Sequence, residues 1–91
     1  VEPVDPDVEA ERMRGRRAFG DVFLRLVEEG VAAGELPVQD AHVAAACLVG
    51  AFTEAMVGPT APSREAHRDE DALVDAICSF CLRAIGAPVI R

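Results

Sequence analysis

The stretch that most constrains this chain is Asp40 to Gly58, DAHVAAACLVGAFTEAMVG. It opens on an acid suited to capping a helix and closes on Gly58-Pro59. Between them, too much of the helix surface is apolar for one packing neighbour to cover. At about 100° per residue, Ala41, Ala44, Ala45, Leu48, Phe52, Ala55 and Met56 form one broad face, while Val43, Cys47, Gly50 and Val57 lie nearly opposite. A helix that is apolar on two sides is buried from two sides. The rest of the chain offers few other helices, so one of its partners is expected from another chain.

Ninety-one residues make a single domain (1–91). A chain this short buries only about 60–65% of the surface its unfolded form exposes, so association would add useful burial. Much of the apolar content is Ala and Val, and only four residues are aromatic, which suits close helix packing better than a sheet. The net charge of −7 repels nucleic acid phosphate, so the segment is not expected to bind DNA itself. Three cysteines, an odd number, follow an acidic N-terminus with no signal-peptide character, which argues against a disulfide-built secreted domain. The largely uncharged run Ala41 to Thr53 is too short to span a bilayer. The chain therefore reads as cytosolic (cytoplasmic) with no membrane partner, and its start at Val rather than Met suggests a fragment or processed product.

Val1 to Asp7 reads as a connecting segment that ends in a helix start, with Asp5 as cap and Pro6 at the first helical position. The first helix is predicted from about Asp7 to Ala33. Phe19, Val22, Phe23, Leu26 and Val27 form its buried stripe, and a bend or break is expected near Gly15, where glycine costs about 1 kcal/mol relative to Ala. Gly34 is placed to close this helix in the left-handed conformation, and Glu35 to Gln39 form a linker. Pro59 to His67 is a turn-rich connection, with Ser63 or Asp69 to cap a last helix running from about Asp69 to Ile85. On that helix Leu73, Val74, Ile77, Cys78, Phe80, Cys81, Ala84 and Ile85 cover a wide apolar arc. Gly86 and Pro88 end it. No stretch alternates as a strand would, so the fold class is all-α, with three main helices of antiparallel type.

The candidate chemistry is sparse. Cys78 and Cys81 have the Cys-x-x-Cys spacing, and Cys47, His42 and His67 add possible metal ligands. Structural zinc pairs usually sit on turns, and redox pairs at helix N-termini; these lie deep in a helix on its apolar face and read as small core residues, so no metal or cofactor is expected. Arg12, Arg14, Arg16 and Arg17 form a basic cluster with Glu9 and Glu11 at helical spacing, read as a solvated, ion-paired face. Phe19, Phe23 and Phe52 are candidates to line an apolar ligand cavity, although helix-spaced phenylalanine is more often ordinary core. No Ser-His-acid set, phosphate-cradling glycine loop or paired-carboxylate arrangement stands out, so an enzyme is not expected.

The run Leu26 to Pro37 (LVEEGVAAGELP), the Asp40-started helix with Ala44-Ala45, Leu48 and Gly50-Ala51, the Pro-rich gap and the apolar last helix ending at Gly86 together resemble the C-terminal half of TetR-family transcriptional regulators. The match covers about residues 8 to 86. The resemblance implies that the last two helices, Asp40–Gly58 and Asp69–Ile85, form a four-helix bundle across a homodimer. On that basis the candidates for the dimer interface are Leu48, Gly50, Ala51, Phe52, Met56, Ile77, Phe80, Cys81 and Ala84. It also implies a small apolar effector, sensed by the full-length protein, with Phe19, Phe23, Val27, Val43 and Cys47 as candidates for one wall of its pocket, and DNA bound only through an N-terminal helix-turn-helix that these residues do not contain. The alternative reading is a stand-alone helical protein–protein interaction module with no ligand.

Overall fold

The first helix begins where an acid and a proline agree. In the computed structural model, which describes residues 5–63 and 69–88, the Asp5 carboxylate accepts a hydrogen bond from the Asp7 amide at 2.8 Å, and Pro6 enters the first turn, where its missing N–H costs nothing. Helix α1 then runs from Pro6 to Ala32. The break expected at Gly15 does not occur. Good helix formers flank the glycine, and ion pairs on the preceding turns, Glu9–Arg12 at 3.2 Å and Glu11–Arg14 at 2.6 Å, add local support; one glycine penalty is not enough to interrupt a helix so placed.

Gly34 closes α1 at φ +75°, a conformation in which any Cβ would crowd the next carbonyl. The amides of Glu35 and Leu36 then both donate to the Gly30 carbonyl, which turns the chain back within a few residues. Helix α2, Ala41–Val57, is capped by Asp40, whose carboxylate accepts from the Val43 amide at 3.1 Å. Helix α3, Glu70–Ala84, is capped by Asp69, so of the two acceptors considered it is Asp69, and not Ser63, that starts the helix. Gly86 follows α3 at φ +81° with the Pro37 ring against its α-carbon, a position where a side chain would be both strained and obstructed. Among the described residues there is no strand, and the fold is all-α.

Helix α2 lies along α1, with Val49 over Gly20 and Phe52 against Phe19 and Phe23. Helix α3 approaches α2 less closely and does not pack its backbone on α1. Val27, Leu48, Ile77, Cys81 and Ile85 meet at the centre, with Phe23, Leu36, Ala44 and Leu73 packed around them. Of these, Val27 alone is fully enclosed. A polar link joins the start of α2 to the end of α3: the Gln39 side-chain amide donates to the Ile85 carbonyl at 2.9 Å and to the Pro37 carbonyl at 3.1 Å.

The resulting body is flat, with extents of 48 × 33 × 16 Å. Its radius of gyration is 15.4 Å, against about 12 Å for a compact chain of this length. Its accessible surface is 7100 Å², about 2000 Å² more than the mass scaling of monomeric proteins gives.

Candidate functional site

The outer side of the α2–α3 pair carries a groove of about 380 Å³. Ala51 and Ala55 from α2 and Leu73, Ala76, Ile77 and Phe80 from α3 line it; Ile77 is buried, Ala51, Ala55 and Leu73 are half-buried, and Ala76 and Phe80 are exposed at its edge. These positions face one another because 51 and 55 lie one turn apart on α2, while 73, 76, 77 and 80 share one face of α3. The connection after α2 closes one end through Thr60 and Pro62. That end wall is held by Glu54, whose carboxylate accepts from both the amide and the hydroxyl of Thr60 at 2.8 Å. The two hydrogen bonds stabilise the charged form, the amide bond most, and hold the Glu54 pKa below the ordinary carboxylate value.

The nine interface candidates divide sharply. Leu48, Ile77 and Cys81 are buried within the chain's own core, and Ile77 also lines the groove. Phe52 is half-buried and engaged with Phe23, ring centroids 5.7 Å apart and nearly parallel. Met56 lies five residues beyond Ala51, about 140° around the helix, so it does not share the groove's face. Ala51 lines the groove, Gly50 and Ala84 are exposed, and Phe80 is 57% exposed on the rim. Sequence reasoning assigned no site role to Ala55, Leu73 or Ala76, although their helical spacing with Ala51 and Phe80 is a usable signal.

The cavity candidates separate in the same way. Phe19 and Phe23 pack together, with ring centroids 4.6 Å apart, and with Phe52 they fill the space they surround. Val27 is fully enclosed. Val43 and Cys47 are exposed and lie about 180° and 140° around α2 from Phe52, so they do not join these phenylalanines in one wall. They belong instead to the outer side of α2.

The cysteines are all free, with Cys47 exposed, Cys78 half-buried and Cys81 buried. Burial pushes the Cys81 thiol pKa up, and the neighbouring Cys78 adds to the shift, which favours the thiol over the thiolate. Among the described residues no three His, Cys, Asp or Glu side chains gather as a metal would need; His67 lies outside the described residues. Arg12 and Arg14 are ion-paired as their spacing predicts, while Arg16 and Arg17 border a shallow groove between α1 and α2 that His42 also lines. No helix among the described residues is long and apolar enough to cross a membrane. No family model, no curated protein and no solved structure matches the chain.

Proposed function

We propose that this chain is the dimerisation and effector-sensing part of a TetR-like transcriptional repressor. The observation that carries the reading is the apolar face of α2 and α3, with Phe80 exposed beside a groove lined by Ala51, Ala55 and Ile77. A second copy laid on this face would complete a four-helix bundle of the kind the sequence resemblance implies. With a net charge of −7 this segment would serve as the sensing body and not as the DNA-reading head. Phe19, Val22 and Leu26, which helical spacing predicts to be buried, are exposed on α1 and would offer one wall to a small apolar effector. Effector binding that favours one helix arrangement would shift the population of dimer geometries and so the spacing of two attached DNA-reading segments.

Sedimentation equilibrium over a wide concentration range tests the dimer. The expected result is a species of twice the chain mass, dissociated by Phe80→Glu, which places a charge where the face must dry. A monomer at every concentration rejects the reading. A second reading, a helical interaction module with no ligand, is favoured by the three phenyl rings that fill one another's space. Uptake of an apolar fluorescent probe by the wild-type dimer, reduced by Phe19→Ser, separates the two: a dimer that takes up no probe belongs to the second.

A further inference from the structure

We propose that the α2–α3 groove is the seat for the Phe80 side chain of a second copy of this chain, each copy's ring entering the other's groove. The inference rests on the dimer reading above and specifies its contact. Phe80 stands at the edge of its own groove with 57% of its surface exposed. On its α2 side the groove is lined by Ala51 and Ala55, with the buried Ile77 of α3 beside them, and the two methyl groups leave a recess where larger side chains would leave none. A protrusion and a recess side by side on one surface are what a two-fold contact needs, because the symmetry operation places each in the other.

Two further observations point to a second copy as the occupant. The chain exposes 7100 Å², and its surplus of about 2000 Å² over a compact monomer exceeds the ~800 Å² per partner of a standard interface. A chain of charge −7 repels its own copy unless the touching faces are nearly neutral. This one is: among the described residues Glu54 is the one acid lining the groove, and its carboxylate is turned to Thr60. The same clamp fixes the end wall before anything binds, so that wall needs no ordering on association.

The test uses two variants of the whole chain, Phe80→Ala, which keeps the recess and loses the protrusion, and Ala51→Leu, which fills the recess and keeps the protrusion. Each alone is expected to weaken dimerisation about 30-fold or more, with helicity by circular dichroism unchanged. Mixed in equal amounts they are expected to associate more tightly than either alone. The ring of the Ala51→Leu chain then finds the open recess of the Phe80→Ala chain, and the enlarged side chain in the filled recess occupies the space left by the lost ring. A wild-type dimer that neither variant weakens, or a mixture no tighter than its components, overturns this contact and leaves the dimer reading standing. A wild-type monomer at all concentrations removes both, and an apolar probe held in the groove of that monomer would assign the groove to a small molecule instead.

Discussion

Glu54 is the residue whose chemistry reaches furthest from its own position. Its carboxylate ties Thr60 to the last turn of α2 and lies so close to Gly58 that a Cβ there would collide with it. Because its pKa is held down in the folded chain, the stabilisation is present in full above the ordinary glutamate range and is lost as pH falls through the lowered value. Glu54→Gln, which keeps an acceptor oxygen and no charge, is expected to be less stable than wild type at neutral pH and to converge with it in acid. Urea midpoints measured for both chains from pH 7 to pH 3 check this, and parallel curves would sink it. Nothing in the spacing of Glu54 and Thr60 announces the contact; it depends on how the proline-flanked turn folds back, which periodicity does not describe.

Helix ends are the most legible feature of the sequence, because they are set by local chemistry. Asp5, Asp40 and Asp69 each accept a hydrogen bond from an amide of the first turn, and Gly34 takes the left-handed conformation that its place predicts. The interior of α1 is less legible: a glycine lowers helix stability by an amount that flanking residues can offset, and Gly15 passes without a break. The penalty nevertheless remains in the folded chain. Gly15 is exposed and a Cβ there would meet nothing within 4 Å, so Gly15→Ala is expected to stabilise the protein by about 0.5–1 kcal/mol. Thermal or urea unfolding measures it directly, and a destabilised variant would mean that the helix bends at this point in solution. The division of α2 between partners is not legible. Helical spacing reveals that Leu48 and Gly50 point in different directions, but not which of them faces the chain's own α3 and which faces outward. The same limit misplaces Val43 and Cys47, whose apolar character marks a surface without saying whose.

At the scale of the whole molecule the three helices are joined unequally. α1 and α2 interlock along their length, with Gly20 under Val49 and the phenyl rings of Phe19, Phe23 and Phe52 in mutual contact. α3 meets α2 across an open groove, and its last turn is secured from a distance by Gln39. A structure so joined does not open all at once. The backbone amides of α3 are expected to exchange with solvent deuterium before those of α2 and the second half of α1, because undocking α3 exposes less packed surface than separating the other two. Hydrogen-exchange mass spectrometry at low protein concentration reads this order, and uniform protection across the three helices would contradict it. The helix expected to exchange first is thus the one that carries Phe80, so the contact proposed for that ring would be read a second time as a concentration-dependent rise in the protection of α3.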